Sequence, residues 1–393
     1  MNNNLIIAHG GGPTAVINAS LFGAVDEARK QGCFGRVLGA VHGIEGVLKE
    51  QFIDFSTVCE SQIQMLPYTP SSAIGSCRRK LTEADYPAIL EVLRRQQVGY
   101  FIYNGGNDSM DTCEKIARMA KAAGYELLVA GIPKTIDNDL QFTDHCPGYG
   151  SAARFIAANT RNLRCEERAL PLYPMIVETM GRNAGWLTAA ASLAQINGRP
   201  CADLIYLPEH PFEEQRFLDD MERSLSRSRA VIAVVCEGLA DADGKPVADT
   251  GFVDGFGHSV PGGTAQALAR LVLQKLGVQT RYEKWGLVGR ASEVRQSMTD
   301  RAEAIGAGRH AVKTLAAGAS GCMVTITRLS STPYQCGFGL APLGDVANQE
   351  KKFPLSWINK ARNGICGGFA EYCLPLLGEG FTPYADLGIE RFG

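Results

Sequence analysis

The chain has 393 residues, 45% of them hydrophobic and 20% charged, which is ordinary for a soluble globular protein and enough for two domains with full cores. A formal net charge of −2 excludes the basic excess expected of a nucleic-acid or anionic-membrane binder, and leaves room only for a local basic pocket. Twelve cysteines are scattered singly from Cys33 to Cys373 with no C-x-x-C pair, so they read as reduced thiols and not as a disulfide framework or a zinc site. Met1 to Leu5 has neither a charged n-region nor an apolar h-region. No apolar run approaches the roughly 18 residues of a membrane span, and a cytoplasmic protein is expected.

Leu5 to Ala8 predicts a short apolar strand, followed by His9-Gly10-Gly11-Gly12-Pro13-Thr14 and a helix to about Lys30. The glycines let backbone amides approach a ligand, and the helix start adds a positive dipole end. The loop matches neither G-x-x-x-x-G-K-[ST] nor G-x-G-x-x-G, and such turns also serve only to reverse the chain. A second strand is expected near Arg36 to His42. In Gly75-Ser76-Cys77-Arg78-Arg79-Lys80, three consecutive cations suit either a phosphate clamp or a solvated face. Thr82 with Asp85 marks a helix start, running to about Gln97.

Val98 to Tyr103 reads as a buried strand ending in Asn104-Gly105-Gly106-Asn107-Asp108-Ser109. Helical spacing from Met110 to Ala123 puts Asp108 and Ser109 at a helix start, where a carboxylate cap is worth about 1 kcal/mol. The next buried strand, Leu127 to Ile132, stops at Pro133, and Lys134-Thr135-Ile136-Asp137-Asn138-Asp139 follows at once. Ligands of open α/β sheets bind outside the carboxyl ends of the strands. A lysine beside an aspartate there suits an anionic substrate that must lose a proton, and the same residues also suit an Asx-rich turn. A calcium loop fits worse, because Asp137-x-Asp139 lacks the Gly and the bidentate Glu of an EF-hand. Strand, glycine turn and helix have now recurred three times, the pattern of a doubly wound parallel sheet.

Farther on come a helix from Ala152 to about Arg164, a strand Pro174 to Glu178 leading into Thr179-Met180-Gly181-Arg182-Asn183, and an Ala-rich helix from Trp186 to about Ala194. Strands Leu204 to Leu207 and Ala230 to Cys236 each carry an acidic residue past their end, Glu209 and Glu237. Ala240 to Phe256 reads as a surface loop. A helix Thr264 to about Leu276, the run Arg281 to Arg290, a long helix from about Ser297 to Gly318 and a strand Met323 to Leu329 follow. Pro342 to Gly393 reads as mostly irregular, with a helical piece near Trp357. The fold expected is α/β, two similar doubly wound Rossmann-like lobes with the active site in the cleft between them.

The loops Gly10-Gly11-Gly12, Gly-Ser-Cys-Arg78, Gly-Gly-Asn107-Asp108-Ser, Pro-Lys134-Thr135-Ile-Asp137-Asn-Asp139, Met180-Gly181-Arg182, Cys-Glu237-Gly and Arg281 with Arg290, in this order, resemble the phosphofructokinase family over roughly residues 5 to 320, and within it the pyrophosphate-dependent branch. The resemblance implies phosphoryl transfer to the 1-hydroxyl of fructose 6-phosphate, with Mg²⁺. It implies Asp137 as general base, Asp139 as a supporting carboxylate and Thr135 as a hydrogen-bonding partner of the transferred group. Met180, Gly181, Arg182, Glu237 and Arg290 match sugar-phosphate positions, and Gly12 and Arg78 match the donor side. Arg281 matches an arginine contributed by a neighbouring subunit, so a homodimer or homotetramer is implied, with Arg168 a second candidate for the interface. The lobes implied are residues 1–147 plus about 277–320 for the donor, and about 148–276 plus 321–393 for the sugar phosphate.

Where ATP-using relatives have glycines, this chain has Asp108 and Lys134. Asp108 brings bulk and negative charge against the inner phosphate of a nucleotide, and Lys134 can pair a compact pyrophosphate; both changes favour pyrophosphate over ATP. An ATP-dependent 6-phosphofructokinase is the alternative, and a non-catalytic sugar-phosphate-binding protein is a more distant one. Asn107 stands where the family has a metal-associated aspartate, so the metal falls to Asp108, with Asn107, or chiefly to the substrate. Leu287 and Gly289 replace a common His or Tyr and a common Gln, which leaves the sugar preference open. Phe22 and Asp26 occupy positions of effector-binding arginines, so nucleotide activation there is not expected.

Overall fold

The structure, a computed structural model, describes residues 3–253, 259–385 and 387. In chain order its strands are β1 (Asn4–His9), β2 (Val37–Ala40), β3 (Phe52–Asp54), β4 (Val98–Gly105), β5 (Leu128–Pro133), β6 (Met175–Thr179), β7 (Gln195–Ile196), β8 (Arg199–Pro200), β9 (Leu204–Tyr206), β10 (Ile232–Cys236), β11 (Asp249–Val253), β12 (Ser259–Pro261), β13 (Arg281–Lys284), β14 (Cys322–Ser331) and β15 (Tyr334–Pro342). They make a seven-stranded sheet in the order β15-β14-β5-β4-β1-β2-β3, a four-stranded sheet in the order β13-β6-β10-β9, and the pairs β7–β8 and β11–β12. From β14 to β2 the large sheet is parallel, with β15 and β3 antiparallel at its edges. The four-stranded sheet is parallel throughout.

The apolar run of β1 is continuous because both of its faces are covered. Ile6 and Ala8 pack with Leu90, Leu93 and Met110, from helices Asp85–Arg95 and Asn107–Ala122. Leu5 and Ile7 pack on the other face with Leu21, Val25, Ala311 and Leu315, from helices Ile17–Gln31 and Met298–Ala316. The period of two along the strand sends alternate side chains to opposite cores, and each fully buried aliphatic side chain contributes about 1.5–3 kcal/mol. From β1 the chain builds outward to β2, then returns to place β4 on β1's other side. That reversal opens a crevice at the carboxyl ends of β1 and β4, the usual ligand address in such a sheet.

Residues 3–149 and 290–351 form one compact unit; residues 150–253, 259–289 and 352–385 form the other. The chain passes between them more than once, but the division differs from the one expected. Residues 277–289 carry β13, which pairs with β6, so they belong to the second unit and not to the first. Residues 321–351 carry β14 and β15, and β14 pairs with β5, so they belong to the first unit and not to the second. Alternating polarity in Met323 to Leu329 marks a strand but does not say which sheet it joins.

Three local expectations also change. The expected loop Ala240 to Phe256 contains β11, paired with β12, while residues 254–256 lie outside the described residues. The Ala-rich helix shortens to Trp186–Ala189 and continues as a 3₁₀ turn, Ala190–Leu193. The helix expected to end near Arg164 runs Tyr149–Ala169, because Arg164 is an interior residue: its buried guanidinium donates to the Cys201 and Ala230 carbonyls and to Asp203. Among the described residues no helix is long and apolar enough to cross a membrane.

Candidate active site

In the first unit the glycine loops after β1 and β4 meet the loop after β5 at the carboxyl ends of these strands. The Arg78 segment runs beside the first of them: Gly11 N–H donates to the Cys77 carbonyl (2.9 Å), and Ser76 Oγ donates to the Gly11 carbonyl (2.7 Å). Gly12 sits where cations converge. A Cβ there would lie 2.7 Å from Arg290 Nη1 and 3.3 Å from Arg78 Nη2, so only glycine leaves both guanidinium groups in place. Lys134, 3% exposed, reaches the same loop and donates from Nζ to the Gly12 carbonyl (2.8 Å). Its backbone N–H donates to the Gly105 carbonyl (3.0 Å), which ties the second and third loops together.

Three cationic side chains converge here, Lys134 buried, Arg290 half-buried and Arg78 exposed, an arrangement suited to an anion. Burial pushes Lys134 down to about 7, the Arg290 and Arg78 charges push the same way, and Asp137 and Asp139 oppose them. Burial and Arg78 also lower Arg290, against the pull of Asp137. An oligophosphate anion at this point would relieve that repulsion and hold three charge-assisted hydrogen bonds.

Asp137 and Asp139 lie on the loop after β5. Asn138 between them adopts φ 54°, the left-handed conformation that asparagine tolerates, and its Oδ1 accepts from the Cys146 N–H (3.0 Å). The Asx-rich turn is therefore present, and it carries the carboxylates. The Asp137 N–H donates to Thr135 Oγ1 (3.1 Å). Burial raises Asp139, partly offset by a hydrogen bond from Thr135.

The helix after β4 starts at Asn107, earlier than the expected Met110, and places Asp108 in its first turn. The Asn107 Oδ1 is buried and has no hydrogen-bond partner among the described residues. That bare oxygen, on the residue preceding Asp108, fits a hard cation of the Mg²⁺ kind, which takes one or two protein oxygens and completes its shell with water and substrate phosphates. Among the described residues no group of three or more His, Cys, Asp or Glu side chains could hold a metal by itself.

The 137–149 loop is anchored by a network that sequence reasoning missed. His145, 1% exposed, faces Asp144 Oδ2 (2.8 Å) from Nδ1 and Glu303 Oε2 (2.7 Å) from Nε2. Burial disfavours the imidazolium, but the Glu303 and Asp144 carboxylates overcome it and lift His145 to about 9. The Lys351 Nζ adds donors to the Thr143 and Asp144 carbonyls (3.1 and 2.8 Å). A folded pKa above the ordinary 6.5 means that this stabilisation is complete below pH 6.5 and is lost as pH rises through about 9. His145→Gln is expected to cost about 3–5 kcal/mol near pH 6, as removing one partner of a buried ion pair does. Lys134 titrates with the opposite sign in part of this range, so the check is the wild-type minus variant difference in unfolding free energy, which should shrink from pH 6.5 to 9. A difference independent of pH would contradict an imidazolium.

In the second unit the carboxyl ends of β6 and β10 bring Met180, Gly181, Arg182 and Glu237 together. The Gly181 N–H donates to Glu237 Oε1 (3.3 Å), and the Glu237 N–H donates to the Thr179 carbonyl (3.0 Å). Burial pushes Glu237 up to about 7, opposed first by Lys284. Arg281 lies elsewhere. It starts β13 in register with Met175, at the opposite end of the sheet from Glu237, beside Glu167 (3.9 Å) and over the Tyr173 ring (5.4 Å). Arg168 falls in the last turn of helix Tyr149–Ala169. Leu287 is 67% exposed, and Gly289 packs so closely on Phe155 that a Cβ would lie 3.1 Å from the ring. Glu209 Oε1 accepts from the Gly185 and Phe353 N–H groups (2.8 and 3.2 Å). In the first unit Phe22 is buried in the core, and Asp26 pairs with Lys30 (2.7 Å) and Arg309 (2.9 Å).

Residues 4–315 match the family model described as phosphofructokinase. Among curated proteins, the chain is 41% identical to a pyrophosphate–fructose 6-phosphate 1-phosphotransferase of Xanthomonas campestris pv. campestris, over 100% of this chain and 96% of the relative. It is 39% identical to a protein of the same description from Methylococcus capsulatus, over 97% and 93%. Among solved structures, the pyrophosphate-dependent phosphofructokinase from Marinobacter aquaeolei superposes with a TM-score of 0.87 at 37% identity, covering 98% of this chain and 94% of that one.

Proposed function

This chain belongs to the phosphofructokinase family, and from that premise we propose that it is a pyrophosphate-dependent phosphotransferase acting on fructose 6-phosphate. It transfers a phosphoryl group from pyrophosphate to the 1-hydroxyl of the sugar phosphate, giving fructose 1,6-bisphosphate and phosphate, in a reversible reaction. The observation that carries the donor is Lys134, whose ammonium reaches the Gly12 carbonyl where Arg78 and Arg290 converge. A compact dianion or trianion suits that receptor. Asp108, in the first turn of the helix beginning at Asn107, adds a negative charge where a longer nucleotide would need room.

The proposed roles follow from the chemistry of phosphoryl transfer, which is mainly positioning and charge stabilisation. Arg78, Lys134 and the Gly12 backbone bind the donor. Asp137 takes the proton from the sugar 1-hydroxyl as that oxygen attacks. Asp139 and Thr135 support Asp137; Met180, Gly181, Arg182 and Glu237 bind the sugar phosphate; and Arg290, expected with the sugar phosphate but lying against Gly12, also serves the donor. Asp108 and Asn107 would hold Mg²⁺, which when bound neutralises charge on the pyrophosphate oxygens. The position of Arg281, at the far end of its sheet from Glu237, supports a role toward a neighbouring subunit, and hence a homodimer or homotetramer in the cytoplasm.

Parallel steady-state assays with pyrophosphate and with ATP test the donor. Turnover with pyrophosphate and fructose 6-phosphate, with ATP activity lower by at least about 10²-fold, is the expected result. Robust turnover with ATP and none with pyrophosphate would overturn it.

A further inference from the structure

At the carboxyl end of the four-stranded sheet, three charged side chains come from three adjacent strands. Lys284 ends β13, in register with Glu178 on β6, and Glu237 follows β10 on the other side of β6. The Lys284 Nζ lies 2.9 Å from Glu178 Oε1 and 3.8 Å from Glu237 Oε2. Glu178 is fixed from behind. Its carboxylate accepts from the Gly263 N–H (3.3 Å) and the Ala265 N–H (3.1 Å), at the start of helix Thr264–Leu276, where the helix dipole favours a negative charge. The lysine ammonium lies against the backbone of Gly262, where a Cβ would come within 2.2 Å of Nζ, so glycine there gives the cation its space.

Glu237 is held on two sides. Its Oε1 accepts from the Gly181 N–H, and its Oε2 faces Lys284. Thr264 Oγ1 donates to the Glu237 carbonyl (3.0 Å), which pins the residue's backbone to the same helix start. Without Lys284, two nearly buried carboxylates would face one another, with the Gly181 N–H and Arg182 left to oppose the Glu237 charge.

We propose that Lys284 is a positioning residue for sugar-phosphate binding, keeping the Glu237 carboxylate charged and aimed so that it can accept hydrogen bonds from sugar hydroxyls. This rests on the reading of Glu237 as a sugar-phosphate ligand. The groups facing Glu237 are Lys284 from β13, Glu178 from β6, and Arg182 with the Gly181 N–H from the loop after β6. Burial pushes Glu237 up to about 7 even with Lys284, the foremost group opposing that rise, in place. Removing the ammonium raises Glu237 further, so more of it is neutral at pH 7 to 8. A neutral carboxyl loses acceptor strength, and affinity for the sugar falls in the pH range where catalysis is measured.

The test uses the full-length enzyme with saturating pyrophosphate, fructose 6-phosphate varied, and pH stepped from 6 to 9.5. Lys284→Met should raise the KM for fructose 6-phosphate about threefold near pH 7.5 and about tenfold near pH 6, the effect of roughly one pKa unit on the ligand-binding form, with recovery toward wild type near pH 9.5. The KM for pyrophosphate should not move, and kcat should change far less than KM. Lys284→Arg should keep the wild-type pH profile. The substrate phosphate titrates near 6 in every variant and cancels in the comparison. A Lys284→Met enzyme whose KM is unchanged, or raised equally at every pH, overturns the positioning role. Glu237→Gln separates this from the underlying reading: it should raise the same KM and erase the inflection, and an unaltered KM there removes Glu237 from the sugar site whatever Lys284 does.

Discussion

Asp137→Ala is expected to lower turnover by about 10²–10⁴-fold in both directions of the reaction, the usual contribution of a positioned general base. Substrate affinities should change little, because the proton leaves the sugar hydroxyl only as the new P–O bond forms. The loss should therefore appear in kcat and in kcat/KM alike. The surroundings sharpen the expectation. Asp137 is one of two carboxylates opposing the cation cluster of Lys134, Arg78 and Arg290. Its removal leaves that cluster more positive, so the binding of an anionic donor should be preserved or slightly improved. Asp137→Asn keeps the shape and should be nearly as inactive, which separates loss of the base from collapse of the loop. An alanine variant with wild-type turnover would remove Asp137 from the chemistry.

That loop was legible in the sequence for physical reasons. A buried apolar strand must end, and a lysine and two carboxylates within six residues of that end are costly to place beside a core unless they serve a ligand. The Asx-turn reading and the catalytic reading prove compatible, since Asn138 at φ 54° supplies the bend that presents Asp137 and Asp139. The glycine loops after β1 and β4 were legible in the same way.

What supports the site was not. His145 and Glu303 are 158 residues apart and meet only because helix Met298–Ala316 packs beside the 137–149 loop. Lys284 ends a four-residue strand with no local motif, and its meaning depends on which strand lies next to it. Periodicity reports whether a strand is buried, not who its neighbour is, so it could not correct the lobe division at the segments that carry β13, β14 and β15. A lone charged residue at the carboxyl end of a parallel strand is the one signal that could have singled out Lys284, and it is weak.

The second large effect concerns the donor. Lys134→Met is expected to raise the KM for pyrophosphate by about 10²-fold, the loss of a charge-assisted hydrogen bond worth up to about 3 kcal/mol. Its pH dependence has a definite sign. In the free enzyme burial pushes Lys134 down to about 7, so above that pH the ammonium must regain a proton before it can pair with the anion. Pyrophosphate binding should then be coupled to proton uptake, and affinity should weaken as pH climbs past 7. Calorimetry in buffers of different ionisation enthalpy reads that uptake directly. Pyrophosphate exchanges protons of its own, so the comparison is with Lys134→Met, where the lysine's share must vanish. The complementary change is Asp108→Gly with Lys134→Gly, which takes away the charge and bulk in the first turn of the helix beginning at Asn107 and the ammonium at Gly12 together. This double variant should lose pyrophosphate affinity and begin to turn over ATP, because the two substitutions act on one anion site and oppose the longer donor jointly. Lys134→Gly alone should show the loss without the gain, since Asp108 still repels the inner phosphate. A double variant that keeps its pyrophosphate affinity and stays blind to ATP would place donor choice outside these two side chains.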